Sequence, residues 1–212
     1  MKYFFLIYPL LYLTILSIGI LNYSKIRNSF YLKLFLIFIG YSLLTEILGY
    51  VVGAIFNTIN YHIYNTWSIV NHFFYLFFFL ALLKGTLKRN IIKFSIVIYT
   101  VITFVDIAFF SDFFNQFLAT NDIVGSFLIV IVVIMYFLEL LQSDAILNLT
   151  KSMFFWISLG VLLFNIGFIP VDVIAEFISY SGIFRVITLI LNLIMAGCFI
   201  TGFIVSRKEF NR

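Results

Sequence analysis

The sequence has few charged residues, prolines and cysteines for its length. Of its 212 residues, 10% are charged and 64% are hydrophobic, and the mean hydropathy is +1.15. Because a soluble domain carries roughly 25% charged residues to cover its surface, this composition excludes an ordinary soluble domain. Two prolines and eleven glycines leave no flexible linker or low-complexity tail. The chain is therefore predicted to form one transmembrane domain over residues 1–212, with the lipid bilayer as its surroundings.

The scarcity of cysteine and the placement of charge exclude further classes. Cys198 is the only cysteine and lies in an apolar run, which excludes a disulfide framework or a cysteine metal site and favours a helix-packing role. The net charge is +4. Its basic residues lie in short segments between apolar runs, where they orient a membrane protein. No nucleic-acid partner is expected.

Long apolar runs are what the sequence has in abundance. A spanning helix needs roughly 20 mostly apolar residues, from about 17 to 25, and seven runs have this length. The predicted fold class is therefore an all-α membrane protein, a seven-transmembrane-helix bundle. The predicted helices lie at about 3–22, 34–56, 66–83, 91–110, 121–141, 153–171 and 183–205.

The first and sixth runs each raise a question about their ends. Lys2 and the small residues Ser17 and Gly19 make a cleavable signal peptide the alternative to a first membrane helix. Beyond the sixth run, the segment 172–182 is predicted as a break that can form a short helix on the membrane surface. In that arrangement Asp172 and Glu176 face water, while the neighbouring apolar side chains face lipid.

The basic residues predict which end of each helix is cytoplasmic. In an alternating path of seven helices, eleven of the thirteen lysines and arginines fall on one side, and only Lys2 and Arg185 fall on the other. The positive-inside rule places the richer side in the cytoplasm. We therefore expect the N-terminus outside, the C-terminus in the cytoplasm and a location in the cell inner membrane. The eleven residues are Lys25, Arg27, Lys33, Lys84, Lys88, Arg89, Lys93, Lys151, Arg207, Lys208 and Arg212.

Polar side chains within the apolar runs are candidate functional residues. An ionisable side chain at mid-membrane costs at least about 2.5–3.5 kcal/mol, so it normally faces the bundle interior and finds a partner there. Glu46 is the deepest carboxylate. With Ser42, Gly49 and Gly53 it forms one stripe of the second predicted helix, and the two glycines allow a neighbouring helix to approach closely.

Five predicted helices place polar residues in the outer half of the bilayer, and the third of the seven carries Ser68, Asn71, His72 and Tyr75 on one face. These residues form either an outward-opening polar pocket, in which Glu46 and His72 carry protons or contact a ligand, or an interhelical hydrogen-bond network. A rim ion pair of Arg185 with Asp172 or Glu176 is expected near the outer surface. The candidate pocket residues are Glu46, Asn71, His72, Tyr75, Asp106, Asn165 and Asn192.

Catalytic and cofactor motifs are missing from the sequence. The two histidines, His62 and His72, do not provide the three or so ligands at helical spacing that an intramembrane zinc hydrolase needs. The last predicted helix has no lysine for a retinal Schiff base, and there is no nucleophile elbow, P-loop or dinucleotide fingerprint. No metal and no cofactor are expected, and an enzyme is the least favoured class.

Four stretches of the sequence form a recognisable pattern. They are Glu46-Ile47-Leu48-Gly49, Asn60-Tyr61-His62-Ile63-Tyr64-Asn65, the aromatic run 71–79, and Phe155-Trp156-Ile157. Together they resemble a broad set of seven-helix inner-membrane proteins common in Bacteroidota, over essentially the whole chain. Because that family has no known activity, the resemblance implies the membrane fold and no catalytic residue.

Three functions remain open from the sequence. The favoured one is a membrane sensor or accessory subunit that acts through a membrane protein partner or a homo-oligomer, because its short loops leave no room for an effector domain. The second is a small proton-coupled transporter that uses Glu46, although no internal repeat or pair of broken helices marks a midplane site. The third is a lipid-modifying enzyme.

Overall fold

The computed structural model describes residues 6–56, 60–177 and 182–211. In these ranges the backbone is mostly helical and contains no strand. Helices suit this composition because every backbone polar group in lipid must find its hydrogen bond within the chain. The helices are α1 (Ile7–Leu21), α2 (Tyr23–Ile26), α3 (Phe30–Phe56), α4 (Tyr61–Leu82), α5 (Thr86–Val105), α6 (Ala119–Leu141), α7 (Met153–Phe177) and α8 (Gly182–Val205).

Six of the described helices, α3 to α8, are long and apolar enough to cross a membrane. The chain is therefore a multi-pass membrane protein, and these helices match the second to seventh predicted spans. The helix α1 is apolar but has 15 residues, a length of about 22 Å against a hydrocarbon core of about 30 Å. The start of the first predicted span, at residues 3–5, lies outside the described residues.

Several helix ends differ from the predicted ones. The helix α4 begins at Tyr61 rather than near 66, and α7 continues through Pro170 to Phe177 rather than ending near 171. The prediction of a surface helix with Asp172 towards water was wrong, because Asp172 belongs to α7 and is 8% exposed. Mostly apolar residues follow the proline, and an interrupted helix would expose unpaired backbone groups to lipid. Continuation of α7 avoids that cost.

The chain divides into two compact units, and the first comprises residues up to 59, 147–161 and from 192 onwards. In this unit α1 packs along α3. A Cβ added at Gly19 would come within 3.0 Å of the Phe203 ring, so the absence of a side chain permits the close approach. The Phe35 ring lies edge-on to Phe199 with centroids 5.0 Å apart. Aromatic side chains and a small residue thus belong to the core of this unit, beside buried aliphatic residues such as Ile15 and Leu32.

One end of the first unit is held by polar contacts between distant segments. Asn211 is buried, and its Oδ1 accepts a hydrogen bond from Met153 N at 2.8 Å, while its Nδ2 donates to Lys25 O at 3.4 Å. The Lys25 ammonium donates to two carbonyls in the last turn of α8, at 3.0 and 2.5 Å. In addition, Arg207 N donates to Lys151 O at 2.8 Å. Three residues of the predicted basic side, Lys25, Lys151 and Arg207, therefore share one end of this unit.

The second unit comprises residues 60–146 and 162–191, and its described core is built by α4, α5 and α6. At one end, the Glu139 carboxylate accepts hydrogen bonds from the backbone N–H groups of Lys84 at 2.8 Å and Gly85 at 3.4 Å. The same carboxylate lies 3.4 Å from Lys88 Nζ. These contacts fix the turn between α4 and α5 against the end of α6.

The opposite end of the second unit is fixed by Asn65 in the first turns of α4. Its Nδ2 donates to the carbonyls of Phe113 and Gln116, both at 2.9 Å, and its Oδ1 accepts from Leu118 N at 3.2 Å. One buried amide therefore satisfies three backbone groups of the segment that joins α5 to α6. This segment carries the polar residues described next.

Candidate functional site

A polar layer crosses the second unit near the Asn65 end. The helices α4, α5 and α6 each contribute two buried polar side chains to it, and all six are less than a tenth exposed. Such a layer is costly inside a membrane unless its members satisfy one another. The six residues are Ser68, His72, Tyr99, Thr103, Asn121 and Asp122.

The centre of the layer is a contact between His72 of α4 and Asp122 of α6. His72 is 2% exposed and Asp122 7%, and Nδ1 of the imidazole lies 3.7 Å from Oδ1 of the carboxylate. Ser68, one turn before His72, donates its hydroxyl hydrogen bond to the same Oδ1. An ionisable pair from two helices is thus enclosed together with one hydroxyl.

The orientation of the His72 ring follows from its bond to the backbone. Nδ1 lies 2.7 Å from the carbonyl oxygen of Ser68, and because a carbonyl only accepts, Nδ1 carries the proton. Nδ1 is therefore unable to accept the proton of the Ser68 hydroxyl, 3.3 Å away. This arrangement differs from a nucleophilic triad, in which the imidazole accepts the serine proton.

Gly125 allows the close approach of α6 to the imidazole. It lies one turn after Asp122, and a Cβ built on it would overlap the Cδ2, Cγ and Nε2 atoms of His72. The His72 ring therefore packs directly against the backbone of α6 at Gly125. Any larger residue would displace His72 from Asp122.

The helix α5 adds a second set of hydrogen bonds to the layer. Asn121 Nδ2 donates to the Tyr99 hydroxyl at 3.0 Å, and Thr103 Oγ1 donates to Asn121 Oδ1 at 2.6 Å. The Tyr99 ring also packs against the His72 ring, with centroids 5.3 Å apart. Two adjacent residues of α6 therefore connect the contacts on α4 with the hydrogen bonds on α5, because Asn121 bonds to α5 and Asp122 faces α4.

Two chemical roles fit this arrangement to different degrees. His72 and Asp122 are side chains that can bind a metal, but within the described ranges no group of three or more His, Cys, Asp or Glu residues is placed to hold one. As a proton site the pair is complete, since the neutral imidazole and the carboxylate can together take up as many as two further protons. The geometry thus favours proton binding.

Asp106 lies at the end of α5, where the helix continues to Phe110 as a π-helical turn. It is 5% exposed. Its Oδ1 accepts a hydrogen bond from Ser111 Oγ at 2.7 Å, whereas its Oδ2 is buried and meets no hydrogen-bond partner among the described residues. Asp106 was predicted as a pocket residue from its position in an apolar run.

The other predicted pocket residues are distributed over both units. Glu46 on α3, half-buried, and the buried Asn192 on α8 belong to the first unit; the rest belong to the second. On α4, Asn71 is half-buried and Tyr75 buried, and Asn165 on α7 is also buried.

The predicted rim ion pair is only partly described. Asp172 is buried and Arg185 half-buried, both in the second unit. The side chain of Glu176 lies outside the described residues.

Sequence reasoning found Ser68 and His72 but not their partner. Asp122 lies inside the predicted span 121–141, but at its polar end, where an acid is usually solvated. No feature of the sequence marks this acid as buried; the structure places it in the first turn of α6, in contact with α4. Tyr99 and Asn121 carried no distinguishing pattern. No protein-family model, no curated protein and no solved structure matches the chain.

Proposed function

We propose that this protein is a proton-responsive sensor or accessory subunit of the cell inner membrane, which acts through a membrane partner. The proposal includes a seven-span path with the N-terminus outside and the C-terminus in the cytoplasm, as the distribution of basic residues predicts. It rests on one observation, the enclosed contact between His72 and Asp122. Histidine changes charge in the physiological pH range, so such a pair can convert a proton into a change of helix packing.

The surroundings of the pair determine how a proton would act. Ser68 of α4 bonds to the carboxylate, Tyr99 of α5 packs against the imidazole, and Gly125 of α6 lies close to the ring. With one proton shared, the pair is neutral overall, whereas gain or loss of a proton leaves a net charge in an apolar setting. A charged state would favour rearrangement of α6 relative to α4 and α5.

The need for a partner is supported by Glu46. It lies in the middle of the long helix α3 and is half-buried. In the part of the first unit that the structure describes, its carboxylate forms no ion pair with a basic residue. Lys33 lies at the other end of α3, and Lys25 lies in the preceding helix α2. A carboxylate at this depth is expected to pair with a polar or basic residue, which a partner helix can supply.

Infrared difference spectroscopy of the full chain in liposomes tests the proton site directly. We expect a carbonyl band of a protonated carboxylic acid that changes between pH 5 and pH 8, roughly the range in which histidine titrates. The band should vanish in Asp122→Asn and shift its midpoint in His72→Gln. Asp144→Asn, which alters an exposed carboxylate, should leave it unchanged. A spectrum that stays constant over this range in the unaltered protein would refute the proposal.

The partner is tested by co-purification from membranes in a mild detergent. Glu46→Gln should reduce the recovery of a stoichiometric partner at least tenfold, whereas Glu209→Gln, at an exposed carboxylate outside the spanning helices, should not. Equal recovery from both variants would argue against Glu46 as the contact. Isolation of the unaltered chain alone in every extract would argue against an accessory role.

A proton-coupled carrier is the second candidate, because the same buried pair could load a proton during transport. It is distinguished by flux. A steady proton current into liposomes that Asp122→Asn and Glu46→Gln both abolish would favour the carrier, whereas a pH-dependent infrared band without such a current favours the sensor.

A further inference from the structure

Asp106 is a second buried carboxylate, and it is only half satisfied. Ser111 donates to its Oδ1, while Oδ2 lacks a hydrogen-bond donor among the described residues. A buried charged oxygen without a donor is unfavourable. A proton on Oδ2 would remove the charge and turn that oxygen into a donor.

The π-helical turn at Asp106 sets its link towards the surface. In an α-helix, residues five apart do not face each other, but the π turn closes a hydrogen bond from Ser111 N to Asp106 O at 2.8 Å. This places the Ser111 hydroxyl on the Asp106 carboxylate. Ser111 is half-buried, and its neighbour Asp112 is exposed. Such single π turns occur frequently at functional sites.

On its other side Asp106 adjoins the polar layer. Thr103 precedes it by three residues, which places the two side chains on neighbouring positions of one helix face. Thr103 donates to Asn121 Oδ1 at 2.6 Å, and Asn121 is the residue before Asp122. Along the chain Asp106 therefore lies between Ser111, whose half-buried hydroxyl bonds to it, and Thr103, which bonds to the residue beside Asp122.

We propose that Asp106 is the residue through which Asp122 exchanges protons with water. A hydronium ion gives its proton to Asp106 Oδ2 and becomes water, and Asp106 becomes a neutral carboxylic acid. Asp106 then loses that proton and returns to its ionised form, while a carboxylate oxygen of Asp122 takes the proton up and becomes the neutral acid. This inference rests on the proposed function, because it requires that Asp122 binds and releases protons.

A pH-jump experiment on the liposome-reconstituted full chain tests the route. The infrared band of Asp122 is followed in time after a sudden change from pH 8 to pH 5. We expect Asp106→Asn to slow the relaxation at least tenfold while the midpoint of the Asp122 titration changes little. Ser111→Ala should slow it as well, and Asp106→Glu should restore most of the rate. Asp112→Asn, an exposed neighbour in the same segment, is the matched control and should relax at the unaltered rate.

The outcomes separate this inference from the proposed function. An Asp122 band that titrates at the unaltered rate in both Asp106→Asn and Ser111→Ala overturns the role of Asp106 and leaves the proton-responsive site standing. A band that never titrates in the unaltered protein overturns both. If Asp106→Asn shifts the midpoint and the rate in proportion, Asp106 acts on the equilibrium rather than on the path, which also contradicts the inference.

Discussion

Gly125 controls how closely α6 approaches His72, and its replacement by alanine probes the packing of the polar layer. A Cβ at this position would overlap the His72 ring. The ring is fixed by its bond to the Ser68 carbonyl at 2.7 Å, so it can move aside only by losing that bond. Gly125→Ala should therefore separate His72 from Asp122 and destabilise the protein.

The size of the effect follows from three contributions. Overpacking a filled site costs about 1–3 kcal/mol, and the lost hydrogen bond adds about 0.5–1.5 kcal/mol. Alanine regains about 0.5–1 kcal/mol because it favours a helix over glycine. The free energy of unfolding should fall by about 0.5–4 kcal/mol, centred near 2 kcal/mol. For a chain of this length, a loss of about 2 kcal/mol lowers Tm by roughly 4–8 °C.

Thermal unfolding in detergent, followed by circular dichroism, measures the change, and Gly197→Ala is the matched control. Gly197 also lies within a long helix, but a Cβ there meets no heavy atom within 4 Å. The control should keep or raise Tm, because it gains helix propensity without a clash. If both variants raise Tm equally, the packing of Gly125 against His72 is refuted.

Two further predictions concern the ends of the helices. Asn65→Ala should lower the free energy of unfolding by about 1–3 kcal/mol, because it leaves the backbone partners of one buried amide unsatisfied. Asn115→Ala, at an exposed residue of the segment between α5 and α6, is the control and should change that free energy by less than about 0.5 kcal/mol. Thermal unfolding measures both changes. Cysteines placed at Lys88 and Arg207 in a cysteine-free background should both react with a membrane-impermeant reagent only from the cytoplasmic side, and labelling from opposite sides would overturn the proposed orientation.

The spans could be predicted from sequence because lipid imposes one solution on an apolar run. Six predicted runs coincide with described helices, since a spanning backbone must bond to itself. The sixth span was predicted to end near 171 because Asp172 and Glu176 follow there, whereas α7 continues through Pro170 to Phe177, since a break in lipid would expose polar backbone groups. The periodicity of α4 also identified Ser68 and His72 as one face, which the structure confirms by joining both to Asp122.

The contact of Ser68 and His72 with Asp122 of a different helix could not be predicted. Ser68 and Asp122 are 54 residues apart, and their contact depends on which helices are neighbours and on how far α6 is shifted along α4. Helical periodicity gives the direction of a side chain but neither of those quantities. The same limit applies to Asp106, whose role depends on a π turn that brings Ser111 over it. The turn has no residue signature as distinct as a proline or a glycine.

Lys25 permits a test of whether a basic residue serves orientation alone. Its ammonium donates to two carbonyls in the last turn of α8, groups that a helix leaves unsatisfied at its end. Hydrogen bonds to a charged donor contribute about 1.5–3 kcal/mol, and partial exposure reduces this, so Lys25→Met should lower the free energy of unfolding by about 1–2 kcal/mol. Arg27→Met removes an exposed charge two residues away and should cost less than about 0.5 kcal/mol. Equal losses of Tm in the two variants would mean that only charge on this side matters, and that the contact with α8 does not stabilise the fold.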